Sequence, residues 1–273
     1  MKWVLKIVKF IPNAITLTSL FLGLVSISYI IESAQLLVIE DIVRLRIEVK
    51  PTTTLWAQLI AGAYFIILGA ILDFSDGFVA RLLNAQSEIG KQLDSLADMV
   101  IFGVAPSFIL YRLLALSYKH GAEVAASSEW VYFIAFIYAV GVAYRLARFN
   151  ASNQNQITEY FYGLPAPAAA LTVTSLPFAL LTIPGIVQYF TPPTMFAIIG
   201  TITYLTISKI RMLSLKGSFS PKVRSGIFRI GLMAGIAIAA IILVVFSMPI
   251  TILFPITMVW YILLSFVYHI TMP

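Results

Sequence analysis

Four aspartates at helical spacing are the residues of this chain best suited to chemistry. Asp73 and Asp76 lie three positions apart, and Asp94 and Asp98 lie four positions apart. Residues at these spacings share one face of a helix. The segment 73–98 holds five of the 12 acidic residues of an otherwise apolar chain. Two helices folded together across a short polar turn would therefore bring four carboxylates to one place.

Clustered carboxylates in an apolar protein need a cation, because they repel one another at low dielectric constant. Mg²⁺ prefers oxygen ligands and is commonly held by carboxylates together with substrate phosphates. Four carboxylates suit two divalent ions about 3.5–4 Å apart, an arrangement used for phosphoryl displacement. Gly77 and Gly90 lie on the same helical faces and would let a second helix or a phosphate group approach the backbone.

Acidic residues near membrane helices have other uses, including proton relays and ion pathways. The pattern here is more demanding, since it reads D-x2-D-G-x2-A-R-x8-G-x3-D-x3-D and includes Ala80 and Arg81. A relay does not need the glycines. The pattern therefore favours a metal centre, and a cation-coupled membrane transporter remains the alternative from a different functional class.

The composition predicts a protein with several membrane spans. Of the 273 residues, 60% are hydrophobic and 11% are charged, and the mean hydropathy is +0.95. Soluble domains have about 25% charged residues. The chain has no cysteine, which excludes disulfides and thiolate metal sites. Its net charge of +6 suits anionic lipid head groups and does not argue for nucleic acid.

Apolar stretches predict an all-α bundle of about eight transmembrane helices. Most are close to the length of about 17–25 residues that a bilayer requires. They are 11–31, 55–72 with the acidic segment continuing it, 93–117, 130–149, 164–184, 190–208, 230–246 and 250–268. The third is expected to kink near Gly103 to Pro106, and residues 32–54 are expected to form an external loop.

We expect one integral-membrane domain over residues 1–273. Its parts are an interfacial helix at 1–10, a catalytic core of six helices at 11–208, a basic cytoplasmic loop at 209–229 and two further spans at 230–273. The interfacial helix is predicted because Lys2, Lys6 and Lys9 share one helical face. The alternative is that these lysines simply flank the first span.

The distribution of basic residues predicts the orientation of the chain. Five of the 18 lysines and arginines fall on one side of the predicted spans, and the other thirteen fall on the side of the N-terminus and the acidic turn. The five are Arg44, Arg46, Lys50, Arg112 and Lys119. Cytoplasmic loops carry the excess of positive charge. Both termini and the acidic segment are therefore expected at the cytoplasmic face of the inner membrane.

The acidic segment resembles the signature of the CDP-alcohol phosphotransferases. It matches at all eight positions, namely Asp73, Asp76, Gly77, Ala80, Arg81, Gly90, Asp94 and Asp98. The resemblance implies a membrane enzyme that moves a phosphatidyl or similar group from a CDP-linked donor to an alcohol, with CMP leaving. It implies that Asp73, Asp76 and Asp94 bind two divalent cations, Mg²⁺ or Mn²⁺. It implies that Asp98 binds metal as well, or deprotonates the acceptor.

Four further stretches are similar to the serine-using, membrane-integral members of that family. They are IPNAITLTSLFLGLVSI, LDSLADMVIFGVAPSFILY, YRLARFN and GLPAPAAA. This similarity implies CDP-diacylglycerol as the donor, L-serine as the acceptor and a homodimer. The alternative within the same chemistry is another acceptor, glycerol 3-phosphate or inositol phosphate.

Donor-binding residues are expected on both sides of the carboxylates. Asn13 and Thr16 belong to a polar stripe on the first span, which is explained either by helix packing or by a face turned to the site. Together with Gly77, Ala80, Arg81 and Gly90, they are our candidates for lining the nucleotide site.

Acceptor-binding residues are expected where the fourth span ends. Arg145 and Arg148 lie three positions apart there, and an arginine can hold a carboxylate or phosphate with two hydrogen bonds. The alternative for both is anchoring at the head-group level. Asn150 either caps this helix or touches the ligand. We expect Asp98 to deprotonate the serine hydroxyl, which attacks the β-phosphoryl group directly.

Overall fold

A computed structural model describes residues 2–43, 52–83, 85, 87–120, 129–151, 160–183, 185–214 and 224–271. The helices are α1 (Lys2–Val43), α2 (Thr52–Leu82), α3 (Glu88–Asp98), α4 (Ala105–His120), α5 (Ile137–Ala151), α6 (Ala166–Thr182), α7 (Pro192–Ile207), α8 (Arg224–Val245) and α9 (Leu253–Thr271). A π-helical segment covers Met99–Val104, and 3-10 segments cover Glu129–Phe136, Ile186–Tyr189 and Ile250–Ile252. The predicted all-α membrane bundle is confirmed.

Six helical stretches in the described part of the chain are long and apolar enough to cross a membrane. They are Phe10–Ser33, Leu55–Leu82, Glu88–Tyr118, Trp130–Ala151, Ser225–Val245 and Ile250–Thr271. Two more apolar helices, Ala166–Thr182 and Pro192–Ile207, are shorter. The chain is thus an integral membrane protein, and the count of eight spans stays a prediction.

The N-terminal part of the chain is more continuous than we predicted. α1 runs without a break from Lys2 through Pro12 to Val43, so no separate helix ends near residue 10. The external loop predicted from residue 32 is also shorter, because α1 continues to Val43 and α2 begins at Thr52. The side chains of residues 2–9 lie outside what the structure describes, so their placement at the membrane surface stays a prediction.

Close packing of α1 on α2 brings the first helix to the acidic segment. Ser26 Oγ donates to the carbonyl oxygen of Gly62 at 2.8 Å. A Cβ atom at Gly62 would lie 2.6 Å from Cγ1 of Ile30. No side chain fits there unless the helices separate, so glycine is what permits this approach.

The predicted interruption of the third span is a π-helical segment. It begins at Met99, directly after Asp98, and ends at Val104, where α4 takes over. Such segments are rare in proteins and frequently lie at functional sites. The hydroxyl of Tyr138 in α5 donates to the Phe102 carbonyl at 2.8 Å, so α5 is joined to the widened turn.

Two short strands form the one feature of the described chain that an all-α prediction misses. β1 (Tyr160–Tyr162) pairs antiparallel with β2 (Arg211–Leu213), with Tyr162 opposite Arg211. β2 lies inside the segment 209–229 that we predicted as a basic loop, and α8 begins within that segment at Arg224. The loop prediction was therefore too long at both ends.

Candidate metal centre and substrate pocket

Three of the four predicted aspartates converge. Asp73 and Asp76 lie on α2 and Asp94 lies on α3, and one carboxylate oxygen from each lies within 4.8 Å of the others. The convergence follows from the reversal of the chain between α2 and α3. Each helix then presents the face that carries its acids, as the spacing predicted.

Asp98 lies one helical turn beyond Asp94, at the end of α3. It is outside the three-carboxylate group, but its carboxyl interacts electrostatically with Asp73, Asp94 and Asp76. Its Oδ1 atom is buried, and no hydrogen-bond donor among the described residues reaches it. Asp98 therefore offers an oxygen next to the group formed by the other three.

The donor set fits a hard divalent cation. The group consists of carboxylates alone, without histidine, and the chain has no cysteine. Mg²⁺, Mn²⁺ and Ca²⁺ prefer oxygen ligands, whereas softer metals favour thiolate and imidazole. A buried acceptor oxygen without a donor, as on Asp98, also gains from a nearby cation.

Asp76 is held from the neighbouring helix. It is buried, with 3% of its surface exposed, and its Oδ2 atom accepts a hydrogen bond from the hydroxyl of Thr16 in α1. Thr16 thus contacts the carboxylate group. This contact supports the explanation that the polar stripe on the first span is a face turned to the site.

A pocket of about 400 Å³ adjoins the carboxylates and contains all six predicted donor-binding residues. Its lining consists of Pro12, Asn13, Thr16, Asp76, Gly77, Ala80, Arg81, Ala85, Ser87, Gly90, Lys91 and Asp94. A Cβ atom at Gly77 would meet no heavy atom within 4 Å, so that glycine faces open space. A Cβ atom at Gly90 would lie 3.0 Å from Oδ1 of Asn13, so this glycine permits the close approach of α1.

Sequence reasoning missed two polar residues of this pocket, Ser87 and Lys91. Ser87 caps α3, since its Oγ accepts from the backbone N–H of Gly90 at 3.0 Å. Lys91 pairs with Glu88 at 2.9 Å on the exposed side of the same helix. Serine before a helix start is a recognisable N-cap signal, and it could have located this end of α3.

Arg145 is a buried cation on α5. Only 7% of its surface is exposed, and no acceptor among the described residues binds its Nε. Its guanidinium interacts electrostatically with Arg148, Tyr261, Asp98 and Tyr138. A buried guanidinium with an unused donor is placed to receive an anionic group.

Arg148 lies in a different environment. Its Nη1 donates to the Ile207 carbonyl at 2.8 Å, and its Nη2 donates to the carbonyls of Tyr162 at 3.2 Å and Ser208 at 3.3 Å. Carbonyls at a helix C-terminus lack partners within the helix. Arg148 therefore caps α7 and joins it to β1, which is a different explanation from both acceptor binding and head-group anchoring.

Asn150 connects two of the elements around the site. Its Nδ2 donates to Oγ of Ser95 at 2.9 Å, and Ser95 directly follows Asp94 on α3. This contact fixes the end of α5 against α3, the helix that carries Asp94 and Asp98. The geometry therefore favours a role for Asn150 in holding the two helices together over direct contact with the ligand.

A family model described as CDP-alcohol phosphatidyltransferase matches residues 9–203, which is more than half of the chain. Three curated relatives are each named CDP-diacylglycerol--serine O-phosphatidyltransferase. The protein of Mycobacterium tuberculosis (strain ATCC 25618 / H37Rv) is 36% identical over 171 residues, covering 61% of this chain and 48% of the relative. The protein of Helicobacter pylori (strain ATCC 700392 / 26695) is 34% identical over 163 residues, covering 59% and 54%.

The protein of Bacillus subtilis (strain 168) is 32% identical over 174 residues, covering 63% of this chain and 85% of the relative. The matched region therefore spans most of the Bacillus protein. It spans 48% and 54% of the Mycobacterium and Helicobacter proteins.

Proposed function

Because the chain belongs to the CDP-alcohol phosphatidyltransferase family, we propose that it transfers the phosphatidyl group of CDP-diacylglycerol to the hydroxyl of L-serine. The products are phosphatidylserine and CMP. The observation that carries the proposal is the convergence of Asp73, Asp76 and Asp94 beside a pocket that is also lined by Gly77, Ala80, Arg81 and Gly90 of the signature. The names of the relatives support serine as the acceptor.

The donor enters from the lipid with its acyl chains still in the bilayer. Its cytidine and diphosphate occupy the pocket bordered by Asn13 of α1, Gly77 of α2 and Gly90 of α3. Arg81 and Lys91 supply positive charge at the pocket wall, which suits a diphosphate. The open space at Gly77 leaves room for the ligand directly against the helix backbone.

Asp73, Asp76, Asp94 and Asp98 would hold two divalent cations, Mg²⁺ or Mn²⁺, and such ions would supply neutralisation of phosphate charge and stabilisation of the leaving CMP. Thr16 restrains the carboxylate of Asp76, and supporting contacts of this kind are important for metal affinity.

Asp98 takes the proton of the serine hydroxyl while the serine oxygen forms a bond to the β-phosphorus of CDP-diacylglycerol. The bond between that phosphorus and the bridging oxygen breaks, and the electron pair leaves with CMP. The buried Oδ1 atom of Asp98 has no competing donor among the described residues, so it is available to a hydroxyl. Arg145, whose guanidinium interacts electrostatically with Asp98, holds the serine carboxylate.

The site faces the cytoplasm. The pocket lies at the end of the bundle that contains Pro12 of α1, the C-terminal end of α2 and the start of α3. Basic residues cluster at the same end, which supports this orientation, and water-soluble CMP can leave from it. The family resemblance also supports a homodimer.

An acceptor panel tests the proposal against its alternatives. Purified protein receives CDP-diacylglycerol, Mg²⁺ or Mn²⁺, and serine, ethanolamine, glycerol 3-phosphate or inositol phosphate. We expect CMP release and lipid product with serine, and little with ethanolamine, which lacks the carboxylate. Preference for another alcohol would overturn serine as the acceptor. Metal uptake into vesicles without any CMP release would favour the transporter.

A further inference from the structure

A proline lies where the π-helical segment passes into α4. In an α-helix, the carbonyl of residue 102 accepts a hydrogen bond from the N–H of residue 106. Here that residue is Pro106, which has no N–H. The Phe102 carbonyl accepts a bond from the hydroxyl of Tyr138 at 2.8 Å, and both residues are fully buried. A side chain of α5 thus provides a partner that residue 106 cannot supply, and a buried carbonyl needs such a partner.

Tyr138 belongs to a buried stripe on α5. Tyr138, Val142 and Arg145 lie at positions i, i+4 and i+7, which share one face of a helix, and at most 7% of the surface of each is exposed. The middle residue of the stripe also contacts the π-helical segment, since a Cβ atom at Gly103 would lie 3.4 Å from Cγ1 of Val142. The face of α5 that carries Arg145 is therefore the face that packs on the π-helical segment.

α5 also contacts the chain on the other side of Asp98. At the end of α5, Asn150 Nδ2 donates to Oγ of Ser95 at 2.9 Å. Later residues of α5 thus contact earlier residues of α3 and the π-helical segment, so the two elements run antiparallel. Asp98 lies between the contact points on its element, and Arg145 lies between the contact points on α5.

We infer that Tyr138 is a positioning residue, which holds the π-helical turn next to Asp98 and keeps Arg145 in register with that carboxylate. This inference rests on the proposed function, in which Asp98 takes the proton of the serine hydroxyl and Arg145 holds the serine carboxylate. Serine carries these two groups on neighbouring carbon atoms, so the separation of the base and the guanidinium has to match a short acceptor. The contacts of α5 on both sides of Asp98 fix that separation.

The test is Tyr138→Phe, which removes the hydroxyl and keeps the buried ring. A displacement of about 1 Å in a catalytic site can cost a large part of the rate, so we expect kcat with serine to fall on the order of tenfold. The KM for CDP-diacylglycerol should stay near the parent value, because the donor pocket is lined by residues of α1, α2, α3 and the turn between α2 and α3. Steady-state kinetics of CMP release measure both quantities.

The matched control is Ser26→Ala. It also removes a buried hydroxyl that donates to a backbone carbonyl of another helix at 2.8 Å, and Ser26 lies about 15 Å along α1 from Thr16 by helical rise. Both variants should lose similar amounts of thermal stability, but only Tyr138→Phe should lose kcat. A parent-like kcat in Tyr138→Phe, or an equal loss of kcat in both variants, would overturn the inference.

The contact at the end of α5 gives a second test. Ser95→Ala removes the acceptor of the Asn150 amide and leaves Asn150 in place. If this contact positions Arg145, then Ser95→Ala and Asn150→Ala should lower kcat to a similar extent. A loss of activity in Asn150→Ala alone would place Asn150 on the ligand and would overturn the inference that contacts on both sides of Asp98 position Arg145.

The acceptor used by the parent protein separates failure of the inference from failure of the proposed function. If the parent prefers another anionic alcohol, the proposed acceptor fails, and the same comparison of kcat with that alcohol decides the inference. If the parent uses only uncharged alcohols or releases no CMP, both fail.

Discussion

Thr16 in α1 donates its hydroxyl hydrogen to Asp76 Oδ2 in α2, so the first helix is joined directly to the carboxylate group. Thr16 is buried, with 4% of its surface exposed. A hydrogen bond to a carboxylate holds that carboxylate in one orientation. The carboxylate then has to reorganise less when a cation binds to it.

Thr16→Val should weaken metal binding. The loss of a hydrogen bond to a charged group costs about 1.5–3 kcal/mol, so the metal concentration for half-maximal activity should rise on the order of tenfold or more. A metal titration of CMP release measures this. Thr16→Ser, which keeps the hydroxyl, should remain close to the parent.

Thr18→Val is the matched control, because the Thr18 hydroxyl bonds to the Ala14 carbonyl of its own helix at 2.8 Å. If Thr16→Val and Thr18→Val shift the titration equally, the contact between Thr16 and Asp76 has no special role.

Gly77→Ala should impair donor binding without harming the fold. A Cβ atom there meets no atom within 4 Å but projects into the pocket. Alanine also stabilises a helix interior by roughly 0.5–1 kcal/mol relative to glycine. We expect a higher KM for CDP-diacylglycerol and an equal or higher melting temperature.

Gly200→Ala provides the comparison, since this glycine of α7 also has open space around its Cβ position and lies outside the pocket lining. Its kinetics should match those of the parent. A normal KM for CDP-diacylglycerol in Gly77→Ala would mean that the donor does not occupy this pocket.

The two arginines of the fourth span should behave differently. Arg145→Ala should raise the KM for serine on the order of tenfold to a hundredfold, because a charge-assisted hydrogen bond to the serine carboxylate is lost. Arg148→Ala removes three bonds to backbone carbonyls, so its main effect should be a lower melting temperature. Kinetics and thermal unfolding of the two purified variants distinguish these roles. The reverse assignment would place Arg148 in the acceptor site.

Single cysteines test the proposed orientation, and the chain provides a background free of cysteine. Glu88 is exposed at the start of α3 beside the pocket. Glu32 is exposed on α1, about 25 Å along the helix from Thr16 by helical rise. Glu88→Cys should react with an impermeant reagent only from the cytoplasmic side, and Glu32→Cys only from outside. The opposite labelling pattern would contradict the orientation deduced from the charges.

The sequence predicted the carboxylate group well because its geometry is local. Asp73 and Asp76 share a helical face by spacing alone, and a short connection turns α3 back so that Asp94 meets them. The clustering of the predicted donor-binding residues around one pocket has the same cause, since most of the pocket lining belongs to α2 and α3; donor binding itself stays a prediction.

Contacts between distant segments were beyond sequence reasoning. Arg148 and its acceptor at Ile207 are separated by 59 positions. Nothing in YRLARFN shows that Arg148 will bond to backbone carbonyls while Arg145 is buried with an unused donor. The same holds for Tyr261, whose partner at Leu213 lies 48 positions away. The unbroken α1 was also missed, because Pro12 matched the signal of a helix start and the lysines before it matched a separate interfacial helix.

The most direct test of the account is CMP release by Asp94→Asn, which keeps the shape of a metal ligand and removes its charge. The parent, given CDP-diacylglycerol and serine, should release CMP and phosphatidylserine in equal amounts, and only with Mg²⁺ or Mn²⁺ present. The variant should lose on the order of a hundredfold or more in rate at the same metal concentration. Substantial turnover in Asp94→Asn, or turnover by the parent after removal of all divalent cations, would contradict a catalytic metal centre at Asp73, Asp76 and Asp94.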